Sequence, residues 1–186
     1  VGRAHVMSKG FAVRVPDDLK HKNTYYLSGD PIGPVFYSLI GDVTPRQMGV
    51  PEILSGLTSG SINVCLAPAL AAEQLQWASR LDNINTAVAG VGIGALIFSS
   101  NKIKSLPADA QNILIQTGAI AGQALTTRIR REDDAAFGRL KARMTAYDPN
   151  PSDIAAWNKV FADTRARLRG TVFNPQVFDQ AVQASH

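Results

Sequence analysis

Residues 45–68 read PRQMGVPEILSGLTSGSINVCLAP, and this stretch predicts three elements in close succession. A short strand over 46–48 is followed by a helix that Pro51 opens, because proline is favoured at the first helical position. Gly60 ends that helix, and residues 62–66 predict a buried strand. Strand, helix and parallel strand form a βαβ unit, and ligands of such sheets collect outside the carboxyl ends of the strands. The stretch should therefore both build the fold and face a ligand.

The same alternation continues on either side of this unit. Residues 1–15 and 23–27 predict strands, and a helix over about 32–40 precedes the unit. Pro68 then introduces an alanine-rich helix. Strands that alternate this regularly with helices predict an α/β fold with a mostly parallel sheet and helices on its faces.

The chain changes character near residue 92. Residues 84–99 are rich in glycine and β-branched residues, which predicts one long, bent strand. Ser105 is the expected N-cap of a long helix that runs to about residue 146. Its predicted apolar face is formed by Leu114, Gly118, Ala121, Leu125, Ile129, Glu132, Ala136 and Leu140. A second long helix follows, with Ser152 and Asp153 as its expected caps.

Composition excludes several classes of protein. The net charge of +4 is scattered, and the one basic cluster, residues 128–131, is followed directly by acids, so we expect a solvated helix face and no nucleic-acid binding. Cys65 is the single cysteine and lies in an apolar strand, which predicts a buried, inert thiol.

Candidate catalytic and cofactor motifs are weak. The three histidines have no metal-ligand spacing, so we expect no metal site. Gly90, Gly92 and Ala95 fit the dinucleotide pattern G-x-G-x-x-G/A, but a strand-like run follows where a helix is required. The sequence therefore predicts no cofactor and no enzymatic activity.

Several motifs in order along the chain carry a family resemblance: PDDLK at 16–20, PEILSGLTSGSINVCLAP at 51–68, SLPADAQ at 105–111 and Trp157. Together they resemble the extracytoplasmic solute-binding proteins of TRAP transporters. The resemblance implies a periplasmic protein that closes two lobes on an organic acid and delivers it to a membrane permease. It also implies that the chain is the C-terminal portion of such a protein, with an α/β ligand-binding lobe over 1–92. Residues 93–186 would then hold the strand that crosses between the lobes and a helical base.

The departures from the family pattern predict an altered pocket. Tyr25 stands where the family has a carboxylate-binding arginine, and tyrosine has neither the charge nor the two-pronged geometry of a guanidinium. Leu66 and Ala67 replace an acid and an asparagine, and Asn63 replaces an aspartate. Arg3 occupies a second arginine position. The predicted ligand-binding residues are Arg3, Tyr25, Val50, Asn63, Leu66 and Ala67.

This apolar set predicts an organic acid with a hydrophobic part, whose polar end meets Arg3 or Tyr25. For Arg3 a surface or hinge salt bridge is the equal alternative. A second hypothesis for the whole chain is a degenerate binding-protein fold that serves as an interaction module without transport. Half a fold would leave apolar faces exposed, so self-association of the chain is also expected.

Overall fold

The computed structural model describes residues 2–184. Its strands are β1 (Gly2–Ser8), β2 (Asn23–Leu27), β3 (Thr44–Met48), β4 (Val64–Pro68), β5 (Asn83–Asn85), β6 (Gly90–Gly92) and β7 (Thr145–Tyr147). Its α-helices are α1 (Ile32–Ile40), α2 (Val50–Ser59), α3 (Ala69–Gln74), α4 (Ser100–Lys104), α5 (Ala108–Arg143), α6 (Pro151–Leu168) and α7 (Pro175–Gln183). The βαβ unit read from residues 45–68 is therefore β3, α2 and β4.

The larger sheet has the order β4-β1-β5-β7, and β6 also pairs with β1. β1 runs antiparallel to β4, β5 and β6, whereas β5 runs parallel to β7. Four of these strands therefore share one direction, and only β1 opposes them. β2 and β3 form a parallel pair, which the Asn63 N–H joins to β4 by donating to the Asn23 carbonyl at 2.8 Å. The predicted α/β fold with a mostly parallel sheet is confirmed, with β1 as the exception.

The sheet has a core on each face, as the alternation of side chains along its strands requires. Met7 of β1 and Cys65 of β4 pack with residues of α2, α3 and the end of α5. Val6 and Val64, their immediate neighbours in sequence, pack with α1 and with Trp157 of α6. The helices are therefore divided between the two faces, and α1 and α6 share the face away from α5.

The prediction of one long strand over residues 84–99 is wrong. β5 and β6 are three residues each, and residues 93–99 have no regular secondary structure. β6 gains its pairing from Gly2–Ala4, and its register places Gly92 opposite Gly2. β1 begins at Gly2 and runs antiparallel to β6. The residues after Gly92 therefore extend past the first residue of β1 and have no described strand to pair with.

The long helix exists, but its predicted start and apolar face need correction. Ser105 ends the short helix α4, and α5 begins at Ala108 because Pro107 interrupts the backbone hydrogen bonding. Of the predicted face only Ala136 and Leu140 are buried, near the C-terminal end. The helix ends at Arg143, and residues 145–147 form β7 instead of a last turn. No residue in the first two-thirds of α5 is buried by the described part of the chain.

Two further corrections concern single residues. Asn150, not Ser152 or Asp153, is the N-cap of α6, and its side chain accepts hydrogen bonds from the N–H groups of both. Asp133 is buried, although its acidic stretch predicted a solvated face. Its carboxylate accepts from the Arg3 N–H and from the Leu70 N–H, each at 2.9 Å, and so joins α5 to β1 and α3.

Candidate functional site

A cavity of about 650 Å³ lies at the carboxyl end of β2, between α1, α6, α7 and the segment that leads into β6. Its lining is mostly aromatic and aliphatic. The larger apolar lining residues are Leu27, Ile32, Phe36, Leu66, Val88, Val91, Phe161, Leu168, Phe173 and Phe178. A concave, mostly apolar surface with a few polar groups is the form that small-molecule sites take in proteins.

Helix α1 forms one wall of the cavity and lies directly against β2. Gly33 allows this close approach, since a Cβ atom at that position would lie 2.5 Å from the Cβ of Tyr26. Asp30 fixes the start of the helix, because its carboxylate accepts hydrogen bonds from the Ile32 N–H at 2.8 Å and the Gly33 N–H at 3.1 Å. The carboxylate lines the cavity but is already engaged by the backbone.

Helix α6 forms the opposite wall. The indole N–H of Trp157 donates to the Arg14 carbonyl at 2.8 Å, which holds the helix against the loop after β1. Phe36 of α1 stacks on Phe161 of α6 with ring centroids 5.8 Å apart, and also on Trp157 at 6.4 Å. This aromatic group sets the distance between α1 and α6 and thereby the width of the cavity.

Tyr25, one of the predicted ligand-binding residues, borders the cavity, but its side chain packs with Cys65 and Ala67 in the core on the α5 face of the sheet. Its side chain is largely buried, and its hydroxyl lies 3.4 Å from the Leu66 carbonyl and 3.6 Å from the Cys65 sulfur. Burial raises the pKa of Tyr25 far above its usual value, so the phenol is neutral and can donate a hydrogen bond. Tyr37 donates to the Tyr25 carbonyl at 3.0 Å and is equally neutral, because burial raises its pKa to about 12.

The structure brings Leu66 together with Tyr25 but places three predicted site residues elsewhere. Val50 is half-exposed at the start of α2, after the carboxyl end of β3, and does not line the cavity. Ala67 is buried in the core on the opposite face of the sheet. Asn63 lies before β4, at its amino end, where its side-chain oxygen accepts from the Asn23 N–H at 3.2 Å.

Arg3 also lies away from the cavity. It shares its strand parity with His5 and Met7, whose face packs against α5. Its guanidinium lies 3.7 Å from the Asp134 carboxylate of that helix, and both side chains are about two-thirds exposed, at 68% and 66%. The surface salt bridge, which was the alternative for Arg3, is what the structure shows.

Sequence reasoning missed most of the α6 contribution. Asn158, Phe161, Thr164 and Arg165 all line the cavity. The periodicity of the helix did indicate a buried side that includes Phe161 and Thr164, but it could not show that this side faces α1 across a gap. α1 and α6 are separated by 110 residues in the sequence. Their packing is a tertiary contact, which no local sequence pattern indicates.

Within the residues that the structure describes, the side chains that could bind a metal ion do not cluster. Among residues 2–184, no three His, Cys, Asp or Glu side chains are arranged to hold a metal ion. Burial raises the pKa of the Cys65 thiol to about 12, which keeps the sulfur protonated at neutral pH. His186 lies outside the described residues. In the described part of the chain, no helix combines the length and apolarity needed to cross a membrane.

Comparison with known proteins finds the fold among solved structures only. No family model matches the sequence. No curated protein matches it significantly. Among solved structures, a TRAP periplasmic solute-binding protein from Shewanella oneidensis with bound succinate matches with a TM-score of 0.84 at 17% identity, over 100% of this chain and 60% of that one.

Two further solved structures give the same result. A TRAP periplasmic solute-binding protein from Sulfurospirillum deleyianum with bound succinate matches with a TM-score of 0.83 at 16% identity, over 99% of this chain and 60% of that one. A protein of the same kind from Desulfovibrio desulfuricans, with bound sn-glycerol-3-phosphate, matches with a TM-score of 0.81 at 15% identity, over 98% and 58%. The chain therefore has the fold of TRAP solute-binding proteins and spans about 60% of the length of these relatives.

Proposed function

We propose that this chain is the ligand-binding portion of a TRAP-type solute-binding protein that works outside the cytoplasm. It binds an organic acid with a substantial hydrophobic part and delivers that acid to a membrane permease. The proposal extends the fold likeness to function. It is supported by the bound molecules of the similar structures, which include the dicarboxylates succinate and L-malate.

The observation that carries the proposal is the position and lining of the 650 Å³ cavity. It lies at the carboxyl end of β2, where ligands of α/β sheets bind. Tyr25 and Leu66, both predicted from the sequence as ligand-binding residues, line it. The Tyr25 hydroxyl already lies against the Leu66 carbonyl, so the surrounding aromatic side chains, which offer apolar area, carry most of the binding.

The same lining argues for a hydrophobic ligand over a small dicarboxylate. Burying apolar surface contributes about 25 cal/mol per Å² to binding, whereas burying an unpaired carboxylate opposes it. Phe36, Phe161, Phe173 and Phe178 would therefore favour an aromatic or aliphatic acid. The described lining contains one cationic side chain, Arg165, and one acidic side chain, Asp30. A second carboxylate on the ligand would therefore lie against these rings and Asp30 without a cation to pair with.

Thermal unfolding with a panel of acids tests the proposal. We expect 3-phenylpropionate and octanoate to raise the Tm of the purified protein, and succinate to leave it unchanged. Binding to the native state alone contributes about 2.7 kcal/mol of stability when the ligand is at about 100 times its Kd, so the shift should be several degrees. Tight binding of succinate without binding of the hydrophobic acids would contradict the proposal.

The second candidate function is an interaction module without transport, and one observation favours it. Residues 93–98 and the first part of α5 expose large apolar side chains, which is the surface expected of an association site. If no acid in the panel changes the Tm while the chain associates with itself, this second function replaces the first.

A further inference from the structure

Arg165 is the one charged side chain of the cavity that the described chain leaves unpaired. The cavity is lined by two charged residues, Asp30 and Arg165. The Asp30 carboxylate accepts two backbone N–H groups at the start of α1. Within residues 2–184 no hydrogen bond or ion pair holds the exposed Arg165 guanidinium, whereas Arg169, four residues later, pairs with Asp179. A guanidinium that borders an apolar cavity without an acid partner is suited to a ligand carboxylate.

The other polar groups of α6 extend the same pattern. Asn158, Phe161 and Arg165 follow the spacing i, i+3 and i+7, which places them on one face of the helix, and all three line the cavity. At about 1.5 Å per residue, Asn158 and Arg165 lie roughly 10 Å apart along the helix axis. The Asn158 amide also has no hydrogen-bond partner within residues 2–184. The helix therefore presents a cation, an aromatic ring and a neutral amide in a row.

We infer that Arg165 binds the carboxylate of the ligand, and that the ligand is a monocarboxylic acid whose apolar body lies along Phe161 and Phe36. This deepens the proposed function and rests on it. The guanidinium can donate two parallel hydrogen bonds to the carboxylate, which a tyrosine hydroxyl cannot do. Asp30 disfavours a second carboxylate in the cavity by charge repulsion. The neutral Asn158 amide can form a hydrogen bond with a hydroxyl or carbonyl at the far end of the ligand.

Calorimetric titration with a matched pair of ligands isolates the carboxylate. The acid is 3-phenylpropionate, and its uncharged counterpart is 3-phenylpropionamide, which has the same apolar body. We expect the wild-type protein to bind the acid at least about 10-fold more tightly than the amide, because a hydrogen bond to a charged group is stronger than one to a neutral group.

Variants then assign that preference to one residue. Arg165→Gln should weaken binding of the acid by about 10- to 100-fold and leave binding of the amide almost unchanged. Arg167→Gln removes an equal charge from an exposed position of the same helix that does not line the cavity, and it should leave both affinities unchanged. Arg165→Lys keeps the charge and should restore part of the preference for the acid.

The outcomes separate this inference from the function on which it rests. If Arg165→Gln weakens binding of the acid no more than Arg167→Gln does, the role of Arg165 is overturned. The proposed function would still stand in that case. Failure of the wild-type protein to bind any hydrophobic acid would overturn both. Loss of both acid and amide binding in Arg165→Gln would also contradict the inference, since it would indicate damage to the cavity and not loss of a carboxylate contact.

Discussion

Single buried polar residues in this protein are satisfied mainly by backbone groups. The Asn85 amide donates to the Val13 carbonyl at 2.9 Å, and Trp157 donates to Arg14 at 2.8 Å. His5, only 2% exposed, places Nδ1 3.0 Å from the Ala87 carbonyl and stacks its ring on Phe137 at 4.1 Å. The positions of these backbone partners are fixed by the fold. Changes at such residues should therefore alter the free energy of unfolding more than changes at surface ion pairs do.

The buried histidine should make stability depend on pH. Burial lowers the pKa of His5 below 6.5, despite the opposing influence of Asp133 and two backbone carbonyls. The unfolded chain therefore binds more protons than the native state below about pH 6.5, and stability falls as the pH falls through that range. We expect urea unfolding to show a loss of up to about 1.4 kcal/mol per pH unit from this group.

A pair of variants isolates the His5 contribution. His5→Gln removes the titrating group and should flatten the pH dependence between neutral and mildly acidic conditions. His21→Asn removes an exposed histidine from a turn with a positive φ of 61°, a conformation that asparagine tolerates, and should keep the wild-type dependence. Equal pH profiles for the two variants would contradict the role given to His5.

At the scale of elements, the end of α5 is joined to the sheet by one carboxylate. Asp133→Asn should lower the free energy of unfolding by about 1.5–3 kcal/mol, because a buried N–H of Arg3 or Leu70 loses its charged acceptor. Asp134→Asn, the next residue, removes only an exposed contact at 3.7 Å to Arg3 and should cost under about 1 kcal/mol. Urea unfolding of both variants measures the difference, and equal costs would contradict the prediction.

The elements also show what a sequence can and cannot predict here. Local signals located the βαβ unit well, because Pro51 and Gly60 mark a helix by their own backbone preferences. Burial of α5 was predicted poorly, because an apolar periodicity shows which face would pack but not whether a partner exists. Asp133 was missed for the converse reason: its acidic neighbours resemble a solvated face, and only the approach of β1 and α3 makes it buried.

Some residues of the candidate site could likewise be predicted from the sequence, and others could not. Tyr25 was predicted because it stands where the resembling family has an arginine, and Leu66 because it was expected at the carboxyl end of a strand. Arg3 was assigned to the ligand, yet strand parity alone, shared with His5, would have turned it toward the face of α5. Arg165 gave no signal, since an arginine in the last turns of a helix is the expected partner of the helix dipole.

Two stretches of the molecule have large apolar side chains that its described residues leave uncovered. Ile93, Leu96 and Ile97 are 82%, 76% and 85% exposed, in the segment after β6. The first part of α5 adds Ile113, Ile115, Ile120 and Leu125, which are all more than half exposed. Such a concentration of exposed aliphatic side chains is unusual on a monomer. The 186-residue chain is also shorter than the solved relatives, which it covers by about 60%.

We therefore expect copies of this chain to associate through the region around residues 93–98 when no other polypeptide covers it. Sedimentation velocity over a wide range of concentrations should show a monomer that converts to larger species. The double variant Ile93→Asp, Ile97→Asp should shift this equilibrium toward the monomer, because burying two unpaired carboxylates opposes association. Val177→Asp introduces a charge at an equally exposed apolar position on α7, at 65%, and should leave the equilibrium unchanged. A wild-type chain that stays monomeric at all concentrations would show that the exposed region does not drive self-association. If both variants have the same effect, the interface does not lie at residues 93–98.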